Sequence, residues 1–292
     1  MHSYAEQTGR NIGFVTPAQQ ERLSQATVAV YGVGGMGGAA AMALVRAGVG
    51  RLLVADIDAF EASNLNRQAF AFTHTLGQHK ARATAAIAAQ MNPHCRVDVR
   101  ESEWTDTLLD DLQGVDVVIN GTDDLAAGLL LYRTARALGL TVIDAYASPL
   151  PSVYVTTPRD LFPEERMGYP TLDTAWDAIT PAQRAAAFRQ EMIHVLLHSS
   201  SRRWVDLDVA AEVAAGKRSR MSFAPMVITA GQMMAFEAIH AVLGQPHGTD
   251  ARGYFFNPHT GRVERPWPAP IAAVLRPLVA KALDRMMGGT AP

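Results

Sequence analysis

Cysteine is almost absent: the 292-residue chain has a single one, Cys95. That excludes an internal disulfide framework and a four-cysteine zinc site. It also points to the reducing cytosol as the compartment. An excess of charge of one sign is missing too. The 26 Lys and Arg stand against 28 Asp and Glu, a formal net charge of −2. Such a balance leaves no electrostatic footprint for nucleic acid or an anionic membrane. Met1–Arg10 is polar and has no apolar core of the kind a signal peptide needs. The most apolar stretch, Phe223–Leu243, is interrupted by Pro225, Gln232, Glu237 and His240, and reads as a buried helix rather than a membrane span. There is no internal repeat and no low-complexity tract.

Against these absences stands a regular alternation of strand and helix signals. Thr27–Gly32 is a short β-branched run that ends in glycines, the pattern of a buried strand. Gly37–Ala47 reads as a helix of small residues, and Arg51–Asp56 as a second strand. His79–Met91 is Ala-rich and helical, stopping ahead of Asn92-Pro93. Strands follow at Arg96–Glu101, Asp116–Gly121, Thr141–Ala145 and Ser152–Thr156, with a helix from Asp124 to about Leu138. This alternation predicts an α/β, Rossmann-like, doubly wound, mostly parallel sheet, whose ligand lies beyond the carboxyl ends of the strands. Residues 1–158 form the nucleotide-binding core with an N-terminal arm. Residues 159–221 are more polar, carry helical stretches such as Pro181–His198, and read as a partly helical, substrate-facing insertion. Residues 222–265 return to the core through a helix and a hairpin around Asn257-Pro258-His259-Thr260-Gly261. Residues 266–292 are a tail, Pro-rich and then weakly helical.

Gly32, Gly34 and Gly37 match G-x-G-x-x-G between the first strand and the first long helix, with Gly35 inside the same loop. Glycines there let phosphates approach the backbone and the helix N-terminus. Asp56 follows 24 residues after Gly32, at the end of the second strand, placed to accept hydrogen bonds from a ribose diol. The loop alone implies a nucleotide and leaves an NAD-dependent oxidoreductase open.

The residues that follow are more specific. Asp56-Ile57-Asp58, Ser63-Asn64-Leu65-Asn66-Arg67-Gln68, Gly77-Gln78-His79-Lys80, Asn92-Pro93 and Thr122-Asp123-Asp124 come in that order. In them the sequence resembles the ThiF/MoeB/HesA family, bacterial relatives of the ubiquitin-activating enzymes. Phe223-Ala224-Pro225, Gly231 and Glu237-Ala238-Ile239 resemble that family's late helix. The resemblance covers roughly residues 9–158 and 222–243. It implies ATP as nucleotide and Mg²⁺ as metal. Arg67 would hold phosphate oxygens with its planar fork, Lys80 would place a point charge on the α-phosphate, and Asp123 would hold Mg²⁺. Asn64 would contact the nucleotide nearby. Arg10, in Gly9-Arg10-Asn11-Ile12-Gly13, matches an N-terminal arginine that reaches the partner subunit's triphosphate, which implies a homodimer with Arg10 acting in trans.

The pattern breaks in three places. The family's paired Cys-x-x-Cys motifs are missing, so no zinc is expected. No cysteine follows Cys95, which is expected to be structural, so no enzyme thioester is expected either. The third motif ends in Asp124 rather than asparagine, a carboxylate that either joins the metal site or starts the helix. The resulting expectation is adenylylation of a carboxylate, such as a peptide or small-protein C-terminus, with release of pyrophosphate and direct passage of the acyl adenylate to an outside nucleophile. A non-catalytic nucleotide-binding scaffold is the remaining alternative. In the insertion, His194 and His198 share a helix face without the further ligands a metal needs, and Arg202 and Arg203 read as the solvated end of a helix.

Overall fold

A computed structural model of the chain describes residues 2–214 and 216–286. Strands β1 (Thr27–Tyr31), β2 (Arg51–Ala55), β3 (Arg96–Arg100), β4 (Val117–Asn120) and β5 (Val142–Asp144) pair in parallel. Strands β6 (Ser152–Thr156), β7 (Tyr254–Asn257) and β8 (Arg262–Glu264) continue the sheet antiparallel. The order across the sheet is β3-β2-β1-β4-β5-β6-β7-β8. The direction of winding reverses between β1 and β4, where an open α/β sheet leaves a crevice for ligands.

Period-two alternation decides which side chains each face of the sheet receives. Val28, Val30, Val54 and Ile119 are buried on one face beneath helices α3 (Met36–Ala47), α4 (Lys80–Met91) and α10 (Ala224–Leu243). Ala29, Tyr31, Leu53 and Val118 face the other way, toward α5 (Trp104–Asp111) and α6 (Leu125–Ala137). Helices on both faces make the sheet doubly wound, as expected. The sequence reading has no counterpart for α5. Its buried stripe is sparse, Trp104 and Leu108 followed by Leu112, and Trp104 rests on Tyr31 with ring centroids 4.9 Å apart.

Helix α10 packs tightly on α3 because both are rich in small residues. A Cβ on Gly231 would lie 2.4 Å from the carbonyl of Met36. The expectation of a buried helix holds for one face only: Ala230, Met234, Ala238 and Val242 are buried, whereas Phe236 keeps 62% of its surface exposed. By length and composition α10 would suffice to cross a membrane, but its inner stripe is spent on α3.

The insertion carries α7 (Pro163–Met167), α8 (Pro181–His198) and α9 (Leu207–Ala214). Thr180 caps α8 by accepting from Gln183 N–H, with Pro181 at its first position. The tail is more ordered than its prolines suggest. Residues Ala269–Met286 form helix α11, with Pro277 inside it, and pack along α8. The Arg189 guanidinium reaches both carboxylate oxygens of Asp284, and Arg276 donates to Gln190 and to the Met167 carbonyl. These long-range bonds are invisible to local propensity. Residues 287–292 of the expected tail lie outside the described residues. At the N-terminus, α1 (Tyr4–Thr8) and α2 (Pro17–Gln25) are both closed by capping boxes.

Candidate active site

The glycine loop between β1 and α3 is a crossing of two backbones with no room for side chains. Gly32 has φ 86°, and a Cβ on it would lie 2.4 Å from the Gly121 carbonyl carbon. A Cβ on Gly37 would come 1.9 Å from Gly32 O. These two glycines fasten the loop after β1 to the loop after β4. Gly34 differs: a Cβ there would meet nothing closer than the Gln68 amide at 3.6 Å, so it leaves space open. A Cβ on Gly35 would run into Val227 of α10 at 2.6 Å. No side chain caps α3, and its first turn holds no acidic residue. The start of α3 therefore keeps free backbone N–H groups and a positive dipole end, the arrangement an anion needs.

Asp56, the last buried carboxylate of the β2 end, braces this loop. Its Oδ2 accepts from Val33 N–H (2.9 Å) and its Oδ1 from Asp58 N–H (3.0 Å). Burial pushes its carboxyl above the usual value, against the pull of those two donors and of Lys80. Each oxygen keeps acceptor capacity beyond its one bond.

The long β2–α4 connection is pinned by Phe60 and Phe70, both buried. Between them lies the turn Ala62–Asn64, where Asn64 is buried and accepts from Glu61 N–H (3.0 Å). Arg67 donates from Nη1 to Ser63 O (2.8 Å) and to Asn66 Oδ1 (2.9 Å), and carries no ion pair among the described residues. Gln68 is buried beside Gly34, which sets this turn against the glycine loop. Lys80 opens α4. Its side chain is 10% exposed, and its ammonium lies 2.9 Å from Asp58 Oδ2, whose own side chain is 61% exposed. Thus Asp56, Asn64, Arg67 and Lys80 all sit between the end of β2 and the start of α4, and of the four it is Asp56 that bonds the loop directly.

Asp123 approaches from the β4 side, two residues past Gly121. It is exposed and has no hydrogen bond or ion pair among the described residues. The neighbouring carboxylate has other work. Asp124 caps α6, accepting from Ala127 N–H at 2.8 Å, and binds Arg184 of α8 at 2.5 Å. Of the two roles open to Asp124, it starts the helix. Among the described residues there is no cluster of three or more His, Cys, Asp or Glu that could hold a metal. A magnesium site would therefore rest on Asp123 together with substrate phosphates, a common composition for Mg²⁺.

Arg10 stands apart. It is exposed on the turn Gly9–Asn11, and the adjacent Asn11 donates to Ala47 O (3.1 Å). Ala47 ends the 12-residue α3 that Met36 begins, so the turn that carries Arg10 adjoins the end of α3 remote from the glycine loop, a helix about 18 Å long at 1.5 Å per residue.

Beyond Asp123 a cleft of about 360 Å³ opens between the ends of β4 and β5 and the insertion. Its wall includes residues that the sequence reading missed: Asp144, Tyr146, Tyr169 and Glu191. Asp144 ends β5 and accepts from Tyr132 Oη (3.0 Å), Asn120 Nδ2 (3.1 Å) and Ala145 N–H (2.6 Å). Burial nevertheless pushes its carboxyl up to about 6. Glu191 projects from α8 and accepts from Tyr169 Oη at 2.9 Å. An acid ending an apolar run, as in Asp56, was a visible signal for Asp144; within the polar stretch of α8, Glu191 gave none.

Other candidates are placed elsewhere. Cys95 is buried, its thiol pushed up to about 11 by desolvation, so it is no nucleophile. His194 is buried against Tyr154 Oη (3.1 Å), and burial holds it neutral, with His198 brought down to about 4. Arg202 and Arg203 sit on the turn Ser201–Arg203, which is tied to β8 through Ser200 and Glu264 and does not line the cleft.

Comparison with known proteins shows the family and the fold. The chain is 41% identical over 127 residues to the tRNA threonylcarbamoyladenosine dehydratase of Bacillus subtilis, covering 43% of this chain and 50% of that protein. It is 35% identical over 130 residues to the sulfur carrier protein adenylyltransferase of Thermus thermophilus, covering 44% and 48%. The chain thus spans about half the length of the curated relatives it matches. Its fold is like that of the Escherichia coli tRNA N6-threonylcarbamoyladenosine dehydratase in complex with ATP, with a TM-score of 0.57 at 20% identity over 82% of this chain and 95% of that one. The ThiF family model matches residues 8–270. Because that match leaves out only the two ends, the chain belongs to the ThiF family.

Proposed function

We propose that the chain uses Mg-ATP to adenylylate a carboxylate, releasing pyrophosphate and passing the acyl adenylate to an outside nucleophile. The supporting observation is that the connection after β2 sets Gln68 beside Gly34, carries Arg67 next to it and leads into the buried Lys80, while Asp123, with no partner among the described residues, follows Gly121 on the β4 side. A dinucleotide lying in the loop gives Arg67, Lys80 and Asp123 no common purpose. A triphosphate does: negative charge at the α-phosphorus must be offset when a second anion attacks it.

In this reading the ribose lies against Asp56 with Asn64 nearby, and Gly32, Gly34, Gly35 and Gly37 bring the nucleotide onto the start of α3. The substrate carboxylate oxygen attacks the α-phosphorus in line; that P–O bond forms and the bridging P–O bond to pyrophosphate breaks. Lys80 and Arg67 stabilise the charge on the phosphoryl oxygens. Asp123 holds Mg²⁺, which when bound neutralises the triphosphate. A carboxylate is already ionised at neutral pH, so this step needs no base. No cysteine is within reach to form a thioester, since the only one is buried in the core.

A peptide or small protein fits as carboxylate donor. The relatives include a sulfur carrier protein adenylyltransferase, and a protein of like fold, E. coli MccB, was crystallised with MccA. We also propose a homodimer in the cytosol. Arg10, far from its own glycine loop, would then reach the partner's triphosphate. Next to it Phe14 is 95% exposed, and a groove of about 310 Å³ lined by Phe14, Val15, Phe236 and Ile239 lies open. Exposed apolar surface of this kind marks an interface.

Exchange of labelled pyrophosphate into ATP, run with a panel of carboxylates, tests the reading. Exchange that depends on the carboxylate and vanishes in Lys80→Ala and Asp123→Ala is the expected result. Tight NAD binding without ATP binding would overturn it.

A further inference from the structure

Resting on the adenylylation reading, we infer that Glu191 is the general base of the second step and that the acceptor it serves is an amine. The first step needs no base, but the second does. A neutral amine nitrogen attacks the acyl carbon of the adenylate. The C–N bond forms, the C–O bond to AMP breaks, and its electron pair leaves on the AMP phosphate oxygen. The surplus N–H proton must go to a base beside the acyl carbon, here Glu191, which returns it to solvent.

Four carboxylates line the cleft beyond the glycine loop: Asp123, Asp124, Asp144 and Glu191. Three are committed. Asp123 is the carboxylate for the metal. Asp124 caps α6 and pairs with Arg184. Asp144 takes three protein donors. Glu191 accepts one hydrogen bond, from Tyr169 to Oε1, and its Oε2 has no partner among the described residues. It enters from α8, whereas Asp123 stands on the β4–α6 turn, and both line the one cleft.

The groups facing Glu191 make it a usable base. Tyr169 reaches it from the segment after α7, Asp144 and Tyr146 from the end of β5, and Arg220 from the segment ahead of α10. Desolvation pushes its carboxyl up to about 7, against the lowering effects of the Tyr169 hydrogen bond and of Arg220, with Asp144 adding to the rise. A base matched to neutral pH transfers protons best. An alkylammonium also gains from docking on an unpaired carboxylate oxygen walled by tyrosine hydroxyls, whereas a thiol gains nothing from it.

Two measurements test this. In the full chain labelled with ¹³C at glutamate carboxyls, one resonance should titrate near neutrality and be absent from Glu191→Gln. Titration of every glutamate in the ordinary carboxylate range would overturn the assignment. The second measurement supplies hydroxylamine, a nucleophile reactive enough to trap an acyl phosphate without a general base, and glycinamide as competing nucleophiles with Mg-ATP and a carboxylate that the exchange assay shows to be adenylylated. Glu191→Gln should lower the ratio of amide to hydroxamate about 100-fold, the lower end of general-base contributions. An unchanged ratio would overturn the proposal. Tyr169→Phe serves as a second variant: loss of a lowering hydrogen bond should move the pH midpoint of amide formation upward, and an unmoved midpoint counts against the dyad. The resonance titration needs no substrate. It therefore judges Glu191 separately from a wild-type protein that shows no exchange, the result that removes the adenylylation reading.

Discussion

Replacing Lys80 by alanine should separate chemistry from folding. The ammonium is largely buried, but its protein partner Asp58 is 61% exposed, so removing Lys80 leaves a carboxylate that solvent screens rather than an orphan buried charge. The stability lost is then mainly the packing of the lysine stem, about 2 kcal/mol at roughly 0.8 kcal/mol per methylene. For a chain of this size that is a fall in Tm of about 4–8 °C at 2–4 °C per kcal/mol. The catalytic loss is larger. A unit charge about 4 Å from a phosphoryl oxygen at an effective dielectric of about 20 contributes on the order of 4 kcal/mol, which is about 1,000-fold in rate. Pyrophosphate exchange beside a thermal melt of the same preparation measures both quantities. An exchange rate within tenfold of the parent protein would refute the phosphate role of Lys80. A Tm fall beyond about 15 °C would instead mark a structural lysine.

Four further outcomes follow from named contacts. Gly37→Ala forces a Cβ to within 1.9 Å of Gly32 O, so it should destabilise by about 1–3 kcal/mol or more; Gly34→Ala has room and should fold normally while weakening ATP binding, both read by melting and by nucleotide titration. Asp124→Asn keeps an oxygen to cap α6 and loses an ion pair whose partners are 40% and 49% exposed, so stability should change by less than about 1 kcal/mol, and metal-dependent exchange should survive. Asp144 is raised in the fold from 3.8 to about 6, so its favourable contribution is complete below pH 3.8 and lost as pH rises through 6; the stability of Asp144→Asn relative to the parent should rise across that window by up to about 3 kcal/mol, as urea titrations at several pH values would show. Cys95→Ala should leave exchange intact, at a cost of about 1 kcal/mol for a small buried void, and loss of exchange at unchanged Tm would reopen a thiol mechanism.

Much of this architecture was legible because the sheet is buried on both faces. The runs Thr27–Tyr31, Arg51–Ala55 and Val117–Asn120 are short, mostly apolar and bounded by glycine or acid, and each forms a parallel strand with bounds within a residue or so of those expected. The 18-residue helix Pro181–His198 has the bounds expected of it. What the sequence hid depends on partners far away. The α5 stripe is sparse and relies on Tyr31 to bury Trp104. The tail forms α11 because Asp284 meets Arg189 and Arg276 meets Met167, contacts spanning 95 and 109 residues. The motif residues around the glycine loop were readable as an ordered set, whereas their division into a β2 side and a β4 side emerges only from the strand order. Asp124 could not be assigned until Ala127 N–H and Arg184 were seen to occupy it. Glu191 lies among polar neighbours on its helix and acquires meaning only when β5 and α6 bring Asp144 and Asp123 to the same cleft.

The central claim is that side chains from both sides of the glycine loop converge on one triphosphate. A crystal structure with Mg²⁺ and α,β-methylene-ATP, which cannot be split at the bond in question, tests it most directly. Lys80 and Arg67 should lie within ion-pair distance of the phosphates, Asp123 should ligate the metal, Asp56 should meet the ribose, and Arg10 of a second subunit should complete the shell. A nucleotide bound with Lys80, Arg67 and Asp123 pointing away from it, or seated outside the β1–β4 crevice, would contradict it.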